Sequence, residues 1–316
     1  MKRNLHFFGN RNRCILFLLT TALFSQKTFS QSRLVDAGIT IGPCNLLGDL
    51  GGNLGKGATF LKDNNISQTR IMAGAHLTVS LKNWLSVRAS LNQGSLSGDD
   101  AAIKGKGGEE EARKVRNLNI KTSITELFVA AEVFPTVFFE QSPEDNYHKL
   151  RPYGVIGIGG FRMNPKGRDP LTGEWVALKP LHTEGQGFPG TGRKEYGLFQ
   201  LNIPMGVGVR YYVSETFNIS LEVIHRKIFT DYLDDVSTNY INPSLFYAHL
   251  PADQAAVAER MADKRNTGIG STVGGDKRGT ATNNDSYYSV GFKLSFTLFG
   301  GDRGYRNSTR CPILRF

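Results

Sequence analysis

The chain has 316 residues, a formal net charge of +10 and 3 cysteines. Residues 1–30 hold five basic and no acidic residues, so a chain without them carries +5, too mild a charge to suggest a nucleic-acid partner. After residue 30 no stretch approaches ~20 continuous apolar residues, which excludes a helical membrane protein. Only Cys44 and Cys311 remain there, too few for a disulfide framework, and we expect both to be reduced.

Residues 1–30 have the pattern of a secretory signal peptide. Basic residues up to Arg13 precede an apolar run, Cys14–Phe24, and Thr28-Phe29-Ser30 offers a cleavage site. The apolar run is too short to span a bilayer. Because Cys14 follows an arginine rather than small residues, we expect no lipid anchor.

Eight later segments alternate apolar and polar side chains with a period of two, which is typical of strands that have one apolar and one polar face. The pattern is clear in all of them except the glycine-rich fifth, whose register it leaves open. In chain order the predicted strands are Val35–Pro43, Arg70–Leu81, Trp84–Asn92, Ile124–Phe134, Arg151–Arg162, Leu198–Val213, Thr216–Arg226 and Tyr287–Phe299.

The connectors alternate in length. They are long after strands one, three, five and seven and shorter after the others, as in outer-membrane barrels, which have short periplasmic turns and long outer loops. We therefore predict an all-β fold: an eight-stranded antiparallel transmembrane β-barrel over residues 31–300 with long extracellular loops. It would be integral to the outer membrane, with both termini periplasmic and a basic tail at 301–316 that is either a disordered end or a periplasmic docking segment. The long connectors are Cys44–Thr69, Gln93–Ser123, Met163–Gly197 and Lys227–Ser286.

The polar face of the predicted strands carries charges of both signs. Inside a barrel of eight strands such charges can pair, and a lumen closed by them would be a plug rather than a pore. A soluble sandwich with these charges on its solvent face is the alternative, which the connector lengths disfavour. The predicted lumen network consists of Arg70, Arg88, Glu126, Glu132, Arg210, Glu222, Arg226 and Lys293.

No pattern of catalytic, cofactor-binding or metal-binding residues emerges from the loops. The aspartates 231, 234 and 235 could bind calcium, but they lack EF-hand spacing, and we expect a structured loop capped by Asp and Ser side chains instead. His182 and His249 are isolated in loops, and His76 is expected in the lumen. Pro251–Arg265 has the spacing of a short amphipathic helix, which we expect to cover its own loop.

Several loop and strand phrases resemble, in matching order, the PorG-like outer-membrane barrels of the type IX secretion system in Bacteroidota. The phrases are GPCNLLGDLGGN (Gly42–Asn53), ASLNQGSLSGDD (Ala89–Asp100), PLHTEGQG (Pro180–Gly187), LFQLNIPMGVGVRYY (Leu198–Tyr212), TDYLDDVSTNY (Thr230–Tyr240) and NNDSYYSVGFKLSFTLFG (Asn283–Gly300).

The resemblance implies a non-enzymatic protein without a cofactor that tethers the periplasmic PorK–PorN ring of that system to the outer membrane. Its partners would be the ring proteins and outer-membrane lipid. The contact surface would be the periplasmic turn Thr136–Lys149 and the tail, including Arg303, Arg306 and Arg310. A structural or adhesion barrel that acts through its outer loops is the alternative, and an enzyme at the barrel mouth is a third, for which no nucleophile or metal site is found.

Overall fold

The computed structural model of the protein describes residues 34–50, 66–103, 110–139, 149–265, 275–282 and 284–299. Eight strands pair antiparallel in a ring that the pairing of β1 with β9 closes, and the short β6 pairs with the end of β5. The predicted closed eight-stranded barrel is confirmed. The strands are β1 (Val35–Leu47), β2 (Arg70–Lys82), β3 (Leu85–Asp99), β4 (Asn119–Val133), β5 (Leu150–Arg168), β6 (Trp175–Ala177), β7 (Phe199–Tyr212), β8 (Phe217–Ile228) and β9 (Ser286–Phe299).

The outer surface of the barrel is apolar. On β4, Leu127 and Val129 point outward, while the side chains of Glu126 and Phe128, which alternate with them, are buried in the lumen. An apolar belt of this size would be costly in water, and it is the arrangement of a transmembrane β-barrel. Large exposed members of the belt are Ile39, Ile41, Ile71, Leu77, Leu91, Leu127, Val129, Ile156, Ile158, Leu201, Val207, Leu221, Phe292 and Phe296.

The strand β5, whose register the sequence left open, points its odd-numbered residues inward. Arg151, Tyr153, Val155 and Phe161 are buried in the lumen, whereas Ile156 and Ile158 on the other parity are exposed. Glycine at position 157 is required by close packing, because a Cβ there would lie 2.3 Å from the Val129 carbonyl oxygen of β4.

The connectors define two different ends of the barrel. At the end that we call the turn end, β2–β3, β4–β5 and β7–β8 are joined, the last by residues 213–216. At the opposite end, called the loop end, lie four long loops: L1 (48–69), L2 (100–118), L3 (169–198, with β6) and L4 (229–285). L2 contains helix α1 (Glu110–Arg116), and L4 contains α2 (Ser244–His249) and α3 (Ala252–Ala262). In the described segments no helix is long and apolar enough to cross a membrane.

The middle of the apolar belt can be tested on β9. Its outward positions run from Val290 to Leu298, with Leu294 at the centre between Ile39 of β1 and Ile219 of β8. We expect Leu294→Arg to lower the free energy of unfolding in lipid vesicles by about 2–4 kcal/mol, because an arginine near the bilayer midplane must be desolvated. Urea titration of the vesicle-inserted protein measures this.

The control for Leu294→Arg is Phe299→Arg, at the end of the same strand, where the cost of an arginine falls to about 0–1 kcal/mol. Equal losses for the two variants, or no loss for Leu294→Arg, would show that this face does not meet lipid. Arginine at Ser295 is not a control, because that side chain is buried in the lumen and an arginine there acts by crowding.

Candidate functional site

Glu132 of β4 is the centre of a charge cluster in the turn-end half of the lumen. The side chain is 0% exposed, and its carboxylate contacts Arg210 Nη2 at 2.5 Å, Lys293 Nζ at 3.1 Å and Arg88 Nη1 at 3.1 Å. These cations come from β7, β9 and β3, so a single carboxylate joins four strands. Loss of this carboxylate would leave three buried cations short of counter-charge, so it ties these four strands together.

Glu222 of β8 completes this cluster. It accepts from Arg88 Nη1 at 2.7 Å and from the Tyr153 hydroxyl at 2.9 Å, and Lys293 Nζ lies 3.5 Å away. Three cations thus face two glutamates. The surplus positive charge lies against aromatic rings, since Arg210 is 5.0 Å from the Phe134 centroid and Arg88 is 5.5 Å from the Phe128 centroid. Such rings attract cations through their quadrupole.

Glu126 and Arg226 form a second cluster closer to the loop end. Their side chains meet at 3.2 Å (Nε to Oε1) and 3.3 Å (Nη2 to Oε2). The carboxylate also accepts from Asn92 at 2.9 Å, from Asn202 at 2.6 Å and from the Tyr287 hydroxyl at 3.0 Å. Arg226 stacks on the Tyr287 ring at 5.3 Å. Every oxygen of this buried carboxylate therefore has a donor, as a buried charge requires.

Seven of the eight residues predicted for the lumen network take part in these two clusters, and Arg70 does not. Arg70 begins β2 at the loop end, where its side chain is exposed and donates to Ser97 Oγ at 3.0 Å. The reason is that apolar side chains such as Met72 and Leu96 fill the lumen at that level, so the arginine turns to water. The expectation for Arg70 is corrected accordingly.

The aromatic partners Phe128, Tyr153 and Tyr287 were missed from the sequence. A signal for Phe128 existed, because a large apolar residue on the polar face of β4 interrupts the alternation. His76 lies in the lumen as expected, within hydrogen-bond distance of Thr40 (3.2 Å) and Ser295 (3.0 Å). Cys44 is a buried free thiol, and Cys311 lies outside the described residues.

The space left in the lumen is small. A cavity beside Glu222 and Arg226, also lined by Ser90 and Asn92, has a volume of about 10 Å³. That is the room of about one water molecule.

The described parts of the four long loops pack together into a cap over the loop end of the barrel. A cluster of buried apolar side chains at its centre draws residues from every loop, and α3 contributes the face that the helical spacing predicted, with Ala255, Ala258 and Met261 buried. The cluster comprises Leu50, Leu118, Ile120, Leu178, Leu181, Phe188, Val236, Ile241, Phe246, Ala255, Ala258, Met261 and Ala262. The cap is thus a small core of its own.

Arg116, the last residue of α1, joins three of the loops. Its guanidinium makes a two-pronged contact with Asp100 of L2, at 2.7 and 3.0 Å. It also donates to the carbonyl oxygens of Asp49 in L1, at 2.7 Å, and of Arg278 in L4, at 2.6 Å. Burial of a guanidinium with this many partners fixes the geometry of the loops around it.

Arg278 and Glu184 join L3 to L4 in the same way. Arg278 Nη1 lies 2.8 Å from Glu184 Oε1 and 2.5 Å from the Asp235 carbonyl oxygen, and Nε donates to the Ala262 carbonyl oxygen at 3.1 Å. Glu184 accepts in addition from the backbone N–H groups of Ser237, at 2.9 Å, and Thr238, at 3.0 Å. Neither residue was singled out from the sequence.

The aspartate-rich segment after β8 is a structured loop, the arrangement preferred over calcium binding. Asp235 has a φ of 62°, a left-handed conformation that its side chain supports by accepting from Thr183 Oγ1 (2.5 Å) and the Tyr196 hydroxyl (2.7 Å). Burial raises the pKa of Asp235 to about 6 and that of Asp231 to about 7. Among the described side chains, no group of three or more His, Cys, Asp and Glu is arranged to hold a metal ion.

The two loop histidines lie beside the same aromatic ring. His182 and His249 both contact the ring of Phe188, with centroid distances of 5.2 and 4.8 Å. Both reach this ring because L3 and L4 pack together in the cap, a contact that sequence spacing does not encode. The predicted partner-binding residues Arg303, Arg306 and Arg310, the signal peptide and residues 140–148 of the periplasmic turn lie outside the described residues.

No protein-family model matches the sequence, and no curated protein matches it. Among solved structures, it is similar to the attachment invasion locus protein Ail of Yersinia pestis (9% identity, TM-score 0.32, covering 84% of this chain and 99% of that one). It is also similar to a major outer membrane protein of Thermus thermophilus (11%, TM-score 0.37, 84% and 99%) and to OprG of Pseudomonas aeruginosa (12%, TM-score 0.30, 84% and 98%). Identities and TM-scores this low establish no shared function, and the barrel is defined here by its own strand pairing.

Proposed function

We propose that the chain is a non-enzymatic, integral outer-membrane barrel that tethers the periplasmic PorK–PorN ring of a type IX secretion system to the outer membrane. The membrane location is supported by the apolar belt around the strands. Anchoring rather than transport is supported by the lumen, which the clusters around Glu132 and Glu126 fill.

One observation carries the assignment to the PorG-like group: the phrases that resemble it meet in space. Leu50, in the phrase Gly42–Asn53, donates its N–H to Asp234 Oδ2 at 3.2 Å. Glu184, in Pro180–Gly187, binds the backbone of Ser237 and Thr238, and Asp285 accepts from Leu233 N at 2.9 Å. Phrases far apart in sequence thus specify one structural unit, the base of the cap, which supports reading them as a family signature rather than as separate coincidences.

The ring contact belongs at the turn end in this proposal, because outer-membrane barrels have their short turns in the periplasm. The described part of the long turn there includes a 3₁₀ segment, Pro135–Phe139, in which Phe138 and Phe139 are exposed. Phe138 lies 5.7 Å from Trp84, so this end, where β9 also ends, offers an aromatic surface. Aromatic and arginine side chains together are typical of protein interfaces.

The tail gives the sharpest test. We expect the triple variant Arg303→Gln, Arg306→Gln, Arg310→Gln to insert normally and to recover at least several-fold less PorK and PorN when it is purified from detergent-solubilised outer membranes. The reason is that the eight strands end before the tail, so the barrel does not need these charges. Quantitative immunoblots of the co-purified ring proteins give the measurement.

The matched control neutralises three exposed basic residues at the other end, Lys114, Lys194 and Lys277, all by glutamine. This variant should retain the ring at the native level. Equal recovery of the ring by the native chain and the tail variant, or loss only in the loop-end control, would contradict the proposed interface. Normal secretion in a strain that lacks the gene would contradict the tether itself.

A structural or adhesion barrel that acts through its outer loops is the second candidate, and the ordered cap favours it. A cap held by two buried arginines and its own apolar core presents a fixed outer surface, as an adhesive protein needs. Removing residues 251–265 should abolish adhesion if the chain is an adhesion barrel. It should leave recovery of the ring unchanged if the chain is the tether.

A further inference from the structure

Three buried carboxyl groups lie together at the base of the cap, where L4 leaves and re-enters the barrel. Asp231 and Asp234 follow β8, and Asp285 directly precedes β9. The side chains are 7%, 0% and 3% exposed. Carboxylates this deeply buried need a counter-charge, full hydrogen bonding or a proton.

Asp234 and Asp285 face each other across Gly48 of L1. A Cβ on Gly48 would lie 2.8 Å from Asp234 Oδ2 and 2.6 Å from Asp285 Oδ1, so both oxygens occupy the space that the glycine leaves free. The other Asp285 oxygen accepts from Leu233 N, and Asp234 accepts from Val236 N at 3.0 Å and from Leu50 N. Two oxygens of like charge therefore approach the same point.

Asp231 is the least satisfied of the three. Both of its carboxylate oxygens are buried, and neither makes a hydrogen bond of ordinary geometry, the Ser237 hydroxyl being the polar group that approaches them. Its carboxylate neighbours from other loops are Asp49 of L1 and Glu184 of L3, which have the same sign of charge.

The cations near this cluster are engaged elsewhere. Arg116 of α1 is the cation that acts on Asp234, and it is bound in two-pronged fashion to Asp100. Arg113 and Lys277 act on Asp49, and Arg278 is bound to Glu184. The described side chains also provide no group arranged to hold a metal ion. A proton on one or more of these carboxyl groups would neutralise the cluster without a bound cation.

We propose that Asp231, Asp234 and Asp285 form a proton-binding cluster that closes L4 against L1 when protonated, so that the cap loosens as the pH rises while the barrel stays folded. This inference concerns the cap alone and does not depend on ring binding. The glycine at position 48 and the buried, poorly hydrogen-bonded carboxylate of Asp231 are its geometric basis.

The direction of the pH effect follows from linkage. Burial, and then the neighbouring carboxylates, raise the pKa of Asp234 and Asp285 well above the usual range, and burial raises that of Asp231 to about 7. Between the ordinary aspartate pKa and these raised values, the closed cap binds more protons than the open one. Its stability is therefore lost as the pH rises through that window, and each proton released raises the opening equilibrium about tenfold per pH unit.

The test uses the full chain in lipid vesicles, with proteinase K cleavage within L4 measured from pH 5 to pH 9. Rates are normalised to cleavage of the urea-unfolded chain at each pH, and heat-dependent gel migration reports the folded barrel. We expect normalised cleavage of the native chain to rise about tenfold or more per unit between pH 5 and pH 7. Asp231→Asn and Asp285→Asn each replace one titrating carboxyl by an uncharged amide. In each variant the factor by which cleavage rises per pH unit should therefore be about tenfold smaller than in the native chain.

Asp253→Asn is the matched control, because Asp253 lies in the same loop on the exposed side of α3. It should keep the native pH profile. A native profile that is flat, or one that both cluster variants retain in full, overturns the proposal. A third result would also overturn it: 5 mM CaCl₂ at pH 8 protects L4 of the native chain from cleavage but does not protect L4 of Asp231→Asn. The cluster would then bind a cation rather than protons. If one variant fails to insert, the native profile and the other variant still decide.

Discussion

Replacing Glu132 by alanine is expected to lower the free energy of unfolding of the barrel by about 3–5 kcal/mol. The carboxylate binds Arg210, Lys293 and Arg88 in a space without bulk water. Its removal leaves Glu222 as the one carboxylate in contact with Lys293 and Arg88, and leaves Arg210 without an ion pair. Urea unfolding in lipid vesicles, followed by the fluorescence of Trp84 at the turn end, measures the loss.

Glu195→Ala is the control for this prediction. Glu195 forms an ion pair of similar length with Lys179, at 2.8 Å, but its side chain is 50% exposed. Water screens such a pair, so its loss should cost no more than about 1 kcal/mol. A loss below about 1 kcal/mol for Glu132→Ala as well would mean that water fills the lumen and compensates the charges, and the filled-lumen description would then be wrong.

The strands were predictable where they meet lipid, and their ends were not. Around Leu127 the outward residues are apolar and the inward ones polar, and the sequence shows this directly. Nearer the loop end the relation reverses, because the exterior meets water there: Leu96, Ile124 and Phe161 point inward. The prediction consequently ended β3 at Asn92 and began β4 at Ile124. In the structure the pairing of these strands extends further, so that β3 continues to Asp99 and β4 begins at Asn119.

The lumen charges were also predictable one strand at a time, but their partners were not. Position on the polar face identified Glu126 and Arg226. Their pairing joins residues 100 positions apart and depends on how the closed ring staggers its strands. No local pattern encodes that stagger. For the same reason the sequence did not indicate which arginines the rings of Phe128 on β4 and Tyr153 on β5 would lie against, although Phe128 interrupts the alternation of β4.

The cap shows the limit most clearly. Helical spacing predicted the helix that became α3, and turn-forming residues predicted a structured loop after β8. The residues that hold the loops together, Arg116 and Arg278, stand in segments without any motif, and the partner of Arg278 is 94 positions away. Contacts between loops arise from tertiary packing, which a single sequence does not display.

Arg278→Met is expected to open the cap without unfolding the barrel. The side chain is buried between Glu184 and Asp235, and methionine keeps much of its volume but removes the charge that both carboxylates face. Leaving buried charges without a partner costs about 3–5 kcal/mol, which corresponds to an increase of more than a hundredfold in the open fraction of the cap. The fluorescence of Trp175, in L3, and cleavage within L4 should therefore change, while the fluorescence of Trp84 should not.

Arg265→Met provides the comparison, because Arg265 lies in the same loop and pairs with Asp263 at 3.0 Å, yet about a fifth of its side chain is exposed. Its removal should cost no more than about 1 kcal/mol and leave L4 protected. Protection of L4 in Arg278→Met at the native level would show that the apolar cluster alone closes the cap. A simultaneous change in the fluorescence of Trp84 and Trp175 in that variant would show instead that cap and barrel unfold as one unit. The loops would then contribute to the stability of the strands that they join.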